Sequence, residues 1–183
     1  MSEILTSAPA LSFRQADERD IAELVRLRDA AARWQMSSGI DQWKPGELGT
    51  DHFRTRLAEG EVWLATLGPD GPTAGAWELW WDDVAAWGAQ PPVAGYVHRL
   101  MTDRETAPAG AGRAMLAEAE RRIAAAGRGL CRLDCRNARL RRYYEDAGYT
   151  VAGETAAKQG DGGKRYAVTL LEKRLATSAD QAC

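Results

Sequence analysis

The sequence predicts an α/β fold built on a sheet of mixed strand direction, and three observations carry that prediction. First, an apolar strand at 96–101 feeds a turn and a helix, and a second strand follows at Leu130–Cys135. A strand–helix–strand unit of this length favours a parallel pair with a right-handed crossover. Second, strand patterns at Glu61–Leu67 and 73–81 flank Gly68-Pro69-Asp70-Gly71-Pro72, a hairpin-type loop. Third, Ile21, Leu24, Leu27, Ala31 and Trp34 recur at helical spacing.

Taken in order, residues 1–10 read as a loose leader and Leu11–Gln15 as a first strand. Asp17 precedes Asp20 as an imperfect capping box, and the helix it opens runs to about Gln35. Ser37-Ser38-Gly39 breaks that helix, and the loop 39–49 carries Trp43 and Pro45. Thr50–Glu59 is a second helix ending at Gly60. In Glu61–Leu67, Val62, Leu64 and Thr66 share one face. A polar connection at 82–92 leads to the strand at 96–101, the turn at 102–109 and Gly110-Ala111-Gly112. The helix that follows keeps Met115, Leu116, Ala119 and Ile123 on one side and stops at Gly127.

After the strand Leu130–Cys135, Asn137 opens a helix through Leu140, Tyr143, Tyr144 and Ala147, closed by Gly148. Strands at 149–154 and 165–171 enclose a glycine-rich loop at 155–163, and residues 172–183 fray into a tail. The domain reading is a flexible leader at 1–10, one domain at 11–174 and a flexible tail at 175–183.

Composition narrows the class. A chain of 183 residues suits one domain, and 45% hydrophobic content is ordinary for a globular protein. A net charge of −2 supplies no bulk field for nucleic acid or an anionic membrane. No apolar run approaches a membrane span, and the N-terminus lacks the basic start and apolar core of a signal peptide. The three cysteines are Cys131, Cys135 and Cys183. Cys131 and Cys135 bracket one strand, which is poor disulfide geometry, and no zinc pattern is present. A reduced, cytoplasmic protein is the simplest expectation, and a homodimer stays open.

The stretch from Tyr96 through the following helix is where chemistry concentrates. A strand feeding glycine into a helix start makes an anion site, because the first backbone N–H groups lack internal partners and the macrodipole is positive there. A P-loop needs Gly-Lys-Ser or Gly-Lys-Thr, and Arg113-Ala114 stands there instead. A dinucleotide fingerprint needs a small residue where Met115 stands. Both nucleotide readings lose, and an ordinary glycine turn before a packed helix competes with the anion site.

Two stretches then resemble the GCN5-related N-acetyltransferase (GNAT) superfamily. Leu100-Met101-Thr102 followed by Ala107-Pro108-Ala109-Gly110-Ala111-Gly112 is similar to its cofactor motif, Gln/Arg-x-x-Gly-x-Gly/Ala. Asn137, Leu140, Tyr144, Gly148 and Tyr149 resemble its Asn…Ala…Tyr…Gly-Phe segment. The resemblance covers nearly the whole chain. It implies a mixed, mostly antiparallel sheet of about six to seven strands flanked by about four helices. It also implies acetyl-CoA as co-substrate, no metal, and transfer of an acetyl group to a primary amine of a small molecule. Acylation of a protein or aminoacyl-tRNA amine, and a CoA-binding regulatory module without turnover, are the alternatives.

The resemblance assigns residues. Leu100, Met101 and Thr102 would pair with the pantetheine arm. Ala109, Gly110, Ala111, Gly112 and Arg113 would cradle the pyrophosphate through backbone N–H groups, with Asn137 nearby. The family's leading Gln or Arg is Ala107 here and Pro108 follows, so one side-chain contact is lost, and Arg113 or Arg104 would have to add charge. Tyr144 is the candidate acid, since a phenol stays protonated at neutral pH and can donate to sulfur. His98 is the candidate base, because imidazole suits proton removal near neutrality. It lies two residues before Leu100 and so shares its side of the strand. Glu78 and Asp134 compete for that role. Trp43, Trp80 and Trp81, with Glu78, Asp82 and Asp83, would make an aromatic and acidic mouth for a cationic amine. Trp63 and Trp77 read as core. Arg132, Arg136, Arg139, Arg141 and Arg142 read as a basic cluster, either a solvated helix face or a contact to the 3′-phosphate of CoA or to an RNA acceptor.

Overall fold

The structure, a computed structural model, describes residues 10–159 and 165–176. Its described strands form a seven-stranded sheet in the order β1-β2-β3-β4-β5-β7-β6. They are β1 (Leu11–Gln15), β2 (Glu61–Leu67), β3 (Thr73–Trp80), β4 (Ala94–Thr102), β5 (Leu130–Cys135), β6 (Thr150–Gln159) and β7 (Arg165–Arg174). Neighbours pair antiparallel except β4 and β5, which are parallel, as the crossover between them requires. The helices are α1 (Ile21–Ser37), α2 (Thr50–Glu59), a one-turn α3 (Val84–Trp87), α4 (Ala111–Ala125) and α5 (Ala138–Asp146).

Local signals explain most boundaries. Asp17 and Asp20 form the capping box, closing a 3-10 turn at Glu18–Asp20 that runs into α1. Gly127 and Gly148 take positive φ just past α4 and α5. The short α3 lies inside the expected connection at 82–92; it is capped by Asp83, a signal too brief to produce periodicity. β6 continues to Gln159, into the span expected as a loop, because it pairs with β7 as far as Gln159–Arg165. β7 reaches Arg174, and Leu175 packs into the core with its N–H bonded to the Gly129 carbonyl, so order extends past the expected tail boundary. The leader up to residue 9 and the tail from 177 lie outside the described residues.

The sheet is covered on both sides, so its central strands are buried on both faces. One face meets α4: Trp63, Ala65, Trp77, Leu79 and Val97 pack with Met115, Leu116, Ala119 and Ile123. Glycine on β4 permits that approach, since a Cβ at Gly95 would lie 2.4 Å from Ile123 Cγ1. The other face meets α1 and α2: Val62, Leu64, Ala76 and Met101 pack with Ile21, Leu24, Leu27, Ala31 and Phe53. Trp63 and Trp77 are core residues, stacked at 6.2 Å. Cys131 and Cys135 are buried free thiols, their pKa values pushed up to about 12 and about 11, chiefly by burial. Among the described residues no helix is long and apolar enough to cross a membrane.

Candidate active site

The site forms where β4 and β5 part. Their ladder pairs Ala94 with Leu130, Gly95 with Cys131 and Tyr96 with Arg132, and ends there. β5 continues beside β7 to Cys135, and β4 continues beside β3 to Thr102. Past Tyr96 the edge of β4 that faced β5 has no strand beside it among the described residues. Such an edge offers backbone donors and acceptors to an extended ligand.

A bulge reshapes β4 at this fork. Ala76 pairs with Met101 and Glu78 with His98, so Trp77 alone spans Arg99 and Leu100. Arg99 takes φ 47°, a left-handed conformation for a side chain with Cβ, at a cost of about 1 kcal/mol or more. The inserted residue switches faces. Leu100 packs with the α4 cluster, and Met101 with the α1–α2 cluster. The expectation that His98 and Leu100 share a side is therefore corrected: strand alternation does not survive an extra residue.

His98 is buried at the fork. The Trp80 ring lies against it, with centroids 3.9 Å apart, and its Nε2 is 3.0 Å from Asp83 Oδ2. Asp83 is fixed as the cap of α3, its side chain accepting from the Ala86 N–H. Asp134, on β5 across the fork, joins them: one ligand atom from each of Asp83, His98 and Asp134 lies within 4.8 Å of the others. The imidazole thus sits beside two carboxylates from different elements.

Glu78 does not stand at an open mouth. It is 0% exposed, and its oxygens accept from Trp80 Nε1 at 3.0 Å and Arg99 Nη1 at 2.9 Å, and lie 3.0 Å from His52 Nε2. Burial works to raise its pKa, but Arg99 and then His52 override it and hold the carboxyl at about 2. A carboxylate so committed is a poor base. Asp82 is exposed, and Trp81 faces elsewhere: it lines a 340 Å³ cleft with Glu61, Trp63 and Arg122. In place of the acidic mouth expected from sequence, guanidinium groups lie over the tryptophan rings. Arg56 lies 4.3 Å over the Trp80 ring, and Arg28 lies 4.2 Å over the Trp43 ring.

On the other side of the fork, α5 carries the tyrosines. Asn137 caps this helix, its Oδ1 accepting from the N–H groups of Arg139 and Leu140, so that oxygen is committed to the fold. Tyr144 packs against the α4 cluster, with rings of Tyr143 and Tyr149 at 5.4 and 6.0 Å. Burial, then Tyr143, Cys135 and Asp134, raise its pKa well above the phenol range, so it is protonated at neutral pH.

The start of α4 lies between β4 and α5. Gly110 caps it at φ 82°, and a Cβ there would meet nothing within 4 Å. A Cβ on Gly112 would lie 2.8 Å from the Tyr143 hydroxyl and 3.6 Å from Thr102 Oγ1. The Ala111 N–H is bonded to the Pro108 carbonyl at 3.1 Å, which removes it from the expected cradle. Gly112 and Arg113 follow in the first turn, where N–H groups have no helical partner. Arg113 is anchored to the Tyr143 carbonyl at 3.2 Å. Arg104 lies 3.7 Å over the Trp34 ring, with Arg139 at 5.9 Å from the same ring. The fit to a phosphate-bearing cofactor is thus an open glycine turn, backbone donors and two neighbouring cations.

The expected basic cluster disperses. Arg132 is buried against Glu172, Tyr96 and Trp87, Arg136 lies over Tyr166, and Arg141 pairs with Glu145. Sequence reading missed Arg28, His52 and Arg99. Arg28 did leave a signal, since it falls inside the apolar stripe of α1 between Leu24 and Ala31.

No family model and no curated protein sequence matches this chain. Solved structures do. An acetyltransferase of the GNAT family from Listeria monocytogenes 4b F2365 is 26% identical, with TM-score 0.70 over 90% of this chain and 95% of its own. The PaiA N-acetyltransferase of Thermoplasma acidophilum, in complex with coenzyme A, is 17% identical, with TM-score 0.64 over 90% of this chain and 99% of its own. YncA of Salmonella typhimurium, with its cofactor acetyl-CoA, is 17% identical, with TM-score 0.61 over 95% of this chain and 99% of its own. The chain has the GNAT fold.

Proposed function

We propose that this chain, built on the GNAT fold, is an acetyl-CoA-dependent N-acetyltransferase that moves the acetyl group directly to a primary amine of a small molecule. The observation that carries the reading is the fork itself. A carboxylate-flanked imidazole stands on β4 and a half-buried, protonated phenol stands on α5.

Acetyl-CoA supplies an activated acyl group as a thioester. The chain's residues bind and orient it and move protons. The edge of β4 at Leu100, Met101 and Thr102 takes the pantetheine arm as an added strand. The backbone of Ala109, Gly110, Gly112 and Arg113 holds the pyrophosphate at the start of α4. Arg104 and Arg139 supply the charge that Ala107 lacks. Asn137 shapes this wall through its cap on α5.

On the acceptor side, Trp43 and Trp80 give flat apolar walls, and Glu78 keeps Arg99 and His52 in position. Amine attack on a thioester needs a neutral nitrogen and a protonated leaving sulfur. With its Nε2 held by Asp83, His98 takes the amine proton at the other ring nitrogen, and Asp83 and Asp134 stabilise the resulting imidazolium. Tyr144 donates its phenolic proton to the departing thiolate. No bond to the protein forms, so both substrates are bound together.

The test is release of free thiol when the protein is incubated with acetyl-CoA and a panel of small amines. His98→Gln should lower kcat/KM by about 100-fold, within the range of a general base. Absence of CoA binding in calorimetry would overturn the reading.

A further inference from the structure

Arg28 is a buried charge that the chemistry above does not use. It lies in the buried stripe of α1 and is only 3% exposed. Its Nη2 is 3.1 Å from Glu47 Oε2, and the Trp43 ring fixes the guanidinium plane from 4.2 Å. Its Nε and Nη1 are buried with no hydrogen-bond partner in the protein. Glu47 is an incomplete counterion: its side chain is 42% exposed, and the same oxygen accepts the Lys44 N–H.

Such an arrangement works against stability. Buried polar groups are almost always paired, and a buried charge with unmet donors is costly. Burial lowers the affinity of this guanidinium for its proton, Glu47 raises it, and Arg99 acts against it as a second cation nearby. The packing does not ask for an arginine, because Leu24, Leu27 and Ala31 around it are apolar. Arg99, in turn, sits at the strained bulge beside His98. Arg28 and Arg99 therefore place two guanidinium groups within electrostatic reach of each other where α1 meets β4, one of them with unmet donors.

We infer that Arg28 receives a carboxylate carried by the acceptor, so that the acceptor is an amino acid or another amine bearing a carboxylate. The amine end rests on the acetyltransferase reading; the anion end rests on Arg28 alone. Amino acids place both groups in one small molecule.

The experiment compares L-amino acids with their own carboxamides, as binding to the full chain by ligand-observed NMR with and without CoA. Acids are expected to bind about 10- to 100-fold more tightly than the matching amides, as for hydrogen bonds to a charged group. Arg28→Met should bring that ratio toward one, and Arg28→Lys should restore part of it. Arg28→Met should also melt at or above the wild-type temperature, because an under-paired buried charge is gone. Amides binding as well as acids, no acid binding at all, or Arg28→Met losing thermal stability while keeping the acid preference would each overturn the inference. Calorimetric titration with CoA on the same samples judges the cofactor reading separately.

Discussion

The two faces of the sheet are made from alternate residues of the same strands, and only one of them adds buried charge to an apolar core. Toward α4, Trp63, Trp77, Leu79 and Val97 meet an apolar helix. Toward α1 and α2, beside the apolar cluster of Val62, Leu64 and Ala76, the same strands present Glu78, Trp80 and His98 among Arg28, His52 and Arg99. The first face gains stability from burial of apolar area. The second buries charges that must be paired one by one, and it spends backbone strain at Arg99 to do so. The difference teaches where chemistry can be placed: on the side whose cost the other side offsets.

The largest test of that contrast sets Trp77 against Trp80. Trp77→Ala should cost about 3–5 kcal/mol in denaturant unfolding, as a fully buried aromatic lost from a packed core. Trp80→Ala should cost clearly less in stability and more in turnover. Equal stability losses would erase the distinction between the faces.

Glu78→Gln comes next, at about 3 kcal/mol near neutral pH, since it removes a fully buried carboxylate from half-buried Arg99 and from His52. Its pH dependence sharpens the point. The folded pKa is held down at about 2, from an ordinary value of 4.5. The stability it contributes is therefore present above about pH 4.5 and lost as pH falls toward 2. Glu78→Gln should flatten that acid limb in urea titrations run across pH.

Tyr144→Phe should lower kcat by about 100-fold with little change in CoA affinity, the signature of a lost general acid. Unchanged turnover would remove the phenol from the mechanism. The smallest effect is at the cofactor end. Arg104→Ala should weaken CoA binding by about 5-fold in calorimetry, as for one partly exposed charge–phosphate contact. No change would leave the backbone turn at Gly110 and Gly112 to hold the phosphates alone.

Much of this was legible in the sequence. Periodicity placed α1, α2, α4 and α5, and glycine punctuation placed their ends, because those signals are local. The strand–helix–strand spacing called for the parallel pair that opens the fork. The bulge at Arg99 was not legible. It is set by the pairing of β3 with β4, and it reversed the side on which Leu100 lies. The fate of Glu78 was also hidden, since an acidic residue in a strand looks the same whether it meets solvent or three side-chain nitrogens from other parts of the sheet and helix layer. Arg28 stood in view inside an apolar stripe, but only packing shows that two of its nitrogens lack partners. Local rules thus recovered the frame, and contacts between distant segments decided what the frame holds.

The central claim is direct transfer at the β4–β5 fork. Initial rates measured over a grid of acetyl-CoA and accepted amine concentrations, with intact-protein mass spectrometry on the enzyme alone with acetyl-CoA, test it most directly. The account predicts intersecting reciprocal plots and an unmodified protein. Parallel plots with a protein heavier by one acetyl group would contradict it.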